Sequence, residues 1–246
     1  MIECLYPDWP APAVVRAAIT TRCGGVSGAP WDSLNLADHV GDDPRRVAEN
    51  RRRLQAHLAL PAAPFWLQQV HGCDVVDADT APDGMPCAAD AAATTRPGAV
   101  CAVLTADCLP VLFCSRQGDW AAAAHAGWRG LVAGVLESTV ARAPVAAADV
   151  LAWLGPAIGP QAFEVGAEVR EAFLAEDAGA ARCFAPSPAG RWLADLYGLA
   201  RRRLARCGVG WVGGGGLCTY AGAGRFFSFR RDGATGRMAS LIWLRD

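Results

Sequence analysis

Residues 99–114 read AVCAVLTADCLPVLFC, and after a short polar turn residues 119–130 continue DWAAAAHAGWRG. The first segment holds two apolar runs of strand length separated by Ala106–Pro110, and the second holds a third run that stops at His125. Runs without polar alternation describe strands covered on both faces, so the fold must be layered. A charged Asp107 followed by Pro110 inside such a stretch is costly unless the break serves a purpose. The same interruption makes the segment too short for a membrane span.

Working outward, residues 13–20 (AVVRAAIT) predict a strand, and residues 21–36 (TRCGGVSGAPWDSLNL) a long Gly- and Ser-punctuated loop of the kind that carries function. Asp42, Asp43 and Pro44 predict a helix start, the helix running to about residue 60 and ending at Pro61. WLQQVHG (66–72) and DVVDAD (74–79) predict two strands around a turn at Gly72. Helices are expected at 128–142, 161–175 and 191–206, with strands at DVLAWLG (149–155) and GVGWVGG (208–214) between them. FFSFRR (226–231) and MASLIWL (238–244) are read as closing strands. Strands and helices alternate with no linker or repeat, which predicts one mixed α/β domain over residues 1–246.

Composition narrows the chemistry. The formal net charge of −1 supplies no global field for nucleic acid or an anionic membrane, so neither is expected as a partner. All 23 basic residues are arginine, which excludes a Schiff-base lysine. The N-terminus shows no basic region followed by an apolar run, and a cytoplasmic location is expected. Ten cysteines without a C-x-x-C pair predict reduced thiols, most of them core filler.

Four histidines are present, and His57 falls on an exposed-looking helix. His71 and His125 both end apolar strands beside glycine, where an imidazole can face a cleft rather than the surface. A lone histidine there is more often a hydrogen-bonded core residue, but Cys108 at a third strand end completes a set. One thiolate and two neutral imidazoles suit zinc and leave a fourth tetrahedral position for water or substrate. Separations of 37 and 17 residues match no local metal motif. After His125, GWRGLVAGVLESTV predicts a helix start that, with Arg129, could bind an anion. The equal alternative is that its glycines serve close packing and Arg129 faces solvent. Arg230 and Arg231 are either a phosphate clamp or a solvated strand end, and one of the pair is expected to be functional.

Taken together, GGVSG, SLNL, HVGDDP, the NR of ENRRRL, QQVHG, TADCLPV, HAGWRG, GPAIG, FEVG, CTY and FFSFRRDGATGR occur in an order that resembles the YfiH-like laccase-domain proteins. The resemblance implies a multilayer sandwich with mixed β-sheets, distantly related to a toxin deamidase. It implies a metal site at His71, Cys108 and His125 with zinc as the ion, and copper can displace zinc at such donors. The implied reactions are phosphorolysis of adenosine, inosine and methylthioadenosine to base and ribose 1-phosphate, and deamination of adenosine. The older laccase label conflicts with residue counting: a multicopper oxidase needs about ten histidines, H-x-H pairs among them, and this chain has four histidines and no such pair.

For deamination, a water activated at the open metal position would attack C6 of adenine, with Asp107 or Glu164 as proton carrier. For phosphorolysis, Arg51, Arg129 and Arg230 are the candidate phosphate-binding residues, and Asn35 a candidate sugar or base contact. The expected partners are purine nucleosides and phosphate, with the chain a monomer or homodimer. Two rival readings stay open. One is a metal-free hydrolase or amidase with Cys108 as nucleophile and His125 as base, acting on muropeptide precursors in the peptidoglycan editing attributed to some relatives. The other is a binding module whose metal is structural.

Overall fold

In the computed structural model, which describes residues 1–81, 87–188 and 190–245, the three apolar runs become β7 (Val100–Thr105), β8 (Leu109–Ser115) and β9 (Ala121–Ala126). β7 belongs to an antiparallel four-stranded sheet ordered β1 (Cys4–Leu5), β2 (Val15–Thr20), β15 (Met238–Leu244), β7. β8 and β9 belong to a mixed six-stranded sheet ordered β14 (Trp211–Gly214), β10 (Val150–Leu154), β8, β9, β6 (Ala91–Thr94), β4 (Val75–Asp77). Its β10–β14 and β4–β6 pairs are parallel and the others antiparallel. The break at Ala106–Cys108 is therefore where the chain leaves one sheet and enters the next.

Side-chain alternation explains why these strands carry almost no polar residue. Val100, Ala102 and Leu104 pack with Leu241 and Trp243 toward Leu54 of α1 (Pro44–Leu58). Cys101 and Val103, with Ile19 and Ile242, face Leu112, Cys114, Ala121 and Ala123 between the two sheets. Leu109, Val111, Phe113, Ala122 and Ala124 face the other way, toward Leu131, Leu136, Phe173 and Leu199. Those last four lie on α2 (Trp128–Ala133), α3 (Val135–Val140), α4 (Ala167–Glu176) and α5 (Leu196–Arg206). The layers run helix, sheet, sheet, helices, the mixed α/β sandwich expected. Ala91–Ala93 pair with Ala124–Ala122, so two strands of weak intrinsic β preference are held by burial on both faces.

Two minor sheets complete the architecture. One is the antiparallel β11 (Glu164–Val165), β13 (Trp192–Ala194), β12 (Phe184–Pro186); the other is the parallel pair β3 (Leu67–Gln68) and β5 (Cys87–Ala88).

Several expected elements shift. The helix at 128–142 is cut at Gly134 (φ 95°) into α2 and α3. The helix at 161–175 starts only at Ala167, because Glu164 and Val165 pair with β13. The helix at 191–206 starts at Leu196, where the Asp195 side chain accepts from Gly198 N, and residues 192–194 are a strand. FFSFRR is not a strand: Ser228 accepts from Arg231 N and caps the short α6 (Phe229–Asp232). β3 and β4 do not pair as a hairpin but enter different sheets. α1 matches its signals, with Asp43 accepting from Arg45 N and Pro44 in the first turn, and left-handed Ala59 ends it before Pro61. Of the ten free cysteines only Cys101 and Cys114 are fully buried, fewer than the core role expected for most of them. Among the described residues no helix is long and apolar enough to cross a membrane.

Leu112 is wholly buried between the sheets. Leu112→Ala should lower the unfolding free energy by about 2–5 kcal/mol in urea titration, whereas a loss under 1 kcal/mol would contradict this packing.

Candidate metal centre

The site begins with one carboxylate. Asp90, fully buried immediately before β6, accepts from three successive backbone amides, Val70 (3.1 Å), His71 (2.9 Å) and Gly72 (2.6 Å). It also accepts from His125 Nδ1 at 2.7 Å, while its own carbonyl accepts from His125 N at 2.7 Å. His71 is held with φ at 61°, which curls the loop so that these amides converge on Asp90. Burial opposes ionisation of Asp90, but the bonds from His125, Gly72 and Val70 outweigh it and hold the pKa below the ordinary carboxylate value.

One residue thereby orients both imidazoles. With Nδ1 of His125 turned to Asp90, Nε2 is left for the site, the arrangement that fixes the tautomer of metal-binding histidines. His125 lies on the face of β9 shared with Ala121 and Ala123, toward the four-stranded sheet, and Cys108 lies at the crossing between sheets. His71 Nε2 is 3.9 Å from Cys108 Sγ, and the two imidazole centroids are 4.8 Å apart at 78°. All three donor atoms lie within 4.8 Å of one another. His125 is buried, Cys108 partly buried and His71 exposed. The centre is thus open on its His71 side, and the expectation that neither histidine lies at the surface holds only for His125.

Without metal the group forms an ion pair. Burial disfavours the Cys108 thiolate, yet His125 and His71 bring its pKa down to about 6. Burial likewise disfavours the His125 imidazolium, but Cys108 and Asp90 raise it to about 9. The glycines of HAGWRG serve this geometry. A Cβ on Gly127 would lie 3.0 Å from both Cys108 Sγ and His71 Cδ2, and one on Gly130 would lie 2.7 Å from Gly72 O. A thiolate and two imidazoles suit zinc or copper, with bonds of about 2.0–2.3 Å for zinc, and the shared Asp90 anchor and the room left by Gly127 fit such an ion.

The other sequence-predicted residues fall in different places. Asp107 (φ 90°) is buried and fully engaged, accepting from Thr219 Oγ1 at 2.6 Å and from Arg230 N at 2.7 Å. Asn35 is wholly buried, with its amide spent on Ala37, Asp42 and the Arg237 amide. Arg51 is tied to Leu36 O and Asp38 and stacks on Trp66, against the core shared by α1 and the four-stranded sheet. Arg129 is exposed with its guanidinium 4.5 Å from the Trp128 ring centre. Arg230 is exposed and donates to Glu164 O, whereas Arg231 is consumed by Thr219, Tyr220 and Phe226 carbonyls and by Asp232. Glu164 accepts from Ser187 and pairs with Arg191.

Sequence reading missed Asp90 and Arg237. Asp90 carried a signal, a single charge inside the alanine run CAADAAAT (87–94). Arg237 is largely withdrawn from solvent, which lowers its pKa, while Cys108 and Asp107 act on it in the opposite sense. Nothing but its place at the end of the FFSFRRDGATGR string pointed to it.

The profile of the family described as multi-copper polyphenol oxidoreductase laccase matches residues 16–245. The chain is 57% identical over 244 residues to the purine nucleoside phosphorylase YfiH of Escherichia coli strain K12, covering 99% of this chain and 100% of that protein. The chain belongs to the YfiH-like laccase-domain family. A Pseudomonas aeruginosa relative, also named a purine nucleoside phosphorylase, is 58% identical over 243 residues, covering 98% of both chains. Among solved structures, a Neisseria meningitidis protein superimposes with a TM-score of 0.95 at 52% identity, covering 99% of each chain. YlmD of Geobacillus stearothermophilus gives 0.89 at 32% identity, covering 99% of this chain and 96% of its own.

Asp90→Asn removes the acceptor charge that orients His125 and closes the His71 loop. It should weaken zinc binding about 10- to 100-fold in chelator competition, and unchanged affinity would remove Asp90 from this role. In metal-free protein, thiolate absorbance of Cys108 should rise with a midpoint near pH 6. The imidazolium signal of His125 should vanish near pH 9. The ion pair then spans the interval between these midpoints, and a Cys108 midpoint in the ordinary thiol range would contradict it.

Proposed function

We propose that this chain is a zinc-dependent purine nucleoside phosphorylase, converting adenosine, inosine or methylthioadenosine and phosphate to base and ribose 1-phosphate, with adenosine deamination as a second activity. The observation that carries the reading is end-to-end similarity to proteins named purine nucleoside phosphorylase, and the donor group open on one side supports it.

His71, Cys108 and His125 would hold the ion, which when bound supplies Lewis-acid polarisation and charge stabilisation at the site. Asp90 keeps His125 in one tautomer and the His71 loop closed. The guanidinium groups of Arg129 and Arg230 have no carboxylate partner among the described residues and retain donors for the oxygens of phosphate. The transition state at C1′ of the ribose gains positive character, so an anion beside it stabilises the reaction. Asp107, with both oxygens already accepting, fits a positioning role through Arg230 better than that of a free proton carrier. Oxidation of the multicopper type gains no support from four histidines and one group of three donors among the described residues.

A second reading rests on one specific geometry: Cys108, His125 and Asp90 form a nucleophile, base and orienting carboxylate in sequence. A metal-free amidase or hydrolase would use this arrangement.

The two readings separate on protein whose metal content has been counted. Adenine and ribose 1-phosphate should form only when phosphate is present. Chelation or Cys108→Ala should cut the rate by roughly a hundredfold or more, at least about 2.7 kcal/mol of barrier. Metal-free protein that leaves every nucleoside intact yet cleaves a muropeptide amide would establish the hydrolase instead.

A further inference from the structure

A cleft of about 970 Å³, within the size range of small-molecule sites, is lined by segments that are hydrogen-bonded to Asp107, the neighbour of Cys108. Its walls share one anchor. Ile158 N donates to Asp107 O at 2.9 Å, Thr219 Oγ1 to the Asp107 carboxylate at 2.6 Å and Arg230 N to its other oxygen at 2.7 Å. Gly159, Cys218 and Arg230, at or next to these anchor points, line the cleft. Asp107 precedes Cys108, so the cleft walls are fastened one residue away from a metal donor.

The lining combines unspent hydrogen-bonding groups with apolar surface, which suits a neutral, hydrogen-bonding ligand. Gln161, Tyr220 and Asp195 line the same cleft, and the Gln161 amide, the Tyr220 hydroxyl and Asp195 Oδ2 have no hydrogen-bond partner among the described residues. Leu193 and Pro160 supply apolar surface between them. Gly216, with φ at 82°, presents bare backbone: a Cβ there would meet nothing within 4 Å. Positive φ excludes most side chains at that wall. Glu164 and Asp195 are matched in the lining by Arg201 and Arg230, so the cleft carries no net formal charge that would call for an ionic occupant. The Arg230 amide ties this wall to Asp107, the neighbour of Cys108, while its guanidinium donates to Glu164 O.

We propose that this cleft binds the base of the nucleoside, with Gln161 and Tyr220 reading its hydrogen-bonding edge and Arg230 marking the end where the sugar meets the metal centre. The assignment rests on the phosphorylase reading. Gln161 is suited to the task because its amide offers a donor and an acceptor side by side, the pairing an adenine edge accepts.

The test is equilibrium binding of adenosine to the zinc-loaded protein by calorimetry, with turnover measured in parallel. Gln161 and Ala221 are both exposed, so substitution there leaves the core intact. Ala221→Trp should fill the cleft and weaken binding more than about tenfold, and Gln161→Ala should weaken it by up to about tenfold. Cys108→Ala should bind adenosine within about threefold of the parent while losing turnover. Parental affinity in both cleft variants, or no adenosine binding by the parent protein, overturns the cleft assignment. Unaffected variants with phosphate-dependent turnover intact would leave the phosphorylase reading standing. Adenosine binding that needs the cleft, without any turnover, would overturn the phosphorylase reading alone.

Discussion

The buried Asp90 carboxylate is the constraint on which the centre depends. A charge fully removed from water is tolerated only if its hydrogen-bonding capacity is met, and here three amides of one loop and one imidazole meet it. The same bonds fix where His71 and His125 stand relative to each other. Satisfying one buried group and aligning two donors are thus a single structural event, which is why the loop tolerates a left-handed His71. Gly127 and Gly130 extend this logic by letting α2 close over the donors.

What could be read from the sequence follows from how each element is stabilised. β7, β8 and β9 were legible because strands buried on both faces have no polar alternation; Cys108 and His125 were legible because they fall at the ends of such runs, and His71 because it ends a strand-like segment beside glycine. The helices at 128–142, 161–175 and 191–206 were placed but misbounded. Their ends are set by Gly134, by the pairing of Glu164 with Leu193 and by the Asp195 cap, none of which hydrophobic periodicity records. FFSFRR looked like a strand by composition, and a single Ser228 side-chain bond makes its end helical.

At the site the division is similar. His71, Cys108 and His125 meet as their local contexts suggested, whereas Asn35 turned out to brace a loop and Arg51 a helix. Polar residues in functional-looking strings are spent on structure as readily as on ligands, and only their partners tell the cases apart. Asp107 shows the intermediate case, a carboxylate whose two oxygens accept from Thr219 and Arg230 and so tie the segments around a cleft to the neighbour of Cys108.

The order of strands carries one more consequence, for biosynthesis. β15, the last strand of the chain, sits between β2 and β7. Until residues 238–244 are synthesised, the four-stranded sheet has a gap between β2 and β7 and the face that covers β8 and β9 is unfinished. All three donors precede β15 in the chain, yet the sheet packed against β8, which follows Cys108, and β9, which carries His125, closes only when β15 is in place. Loss of residues 238–244 would leave β2 and β7 unbridged and strip Ile242 and Leu244 from the layer that packs against Leu112, Cys114, Ala121 and Ala123.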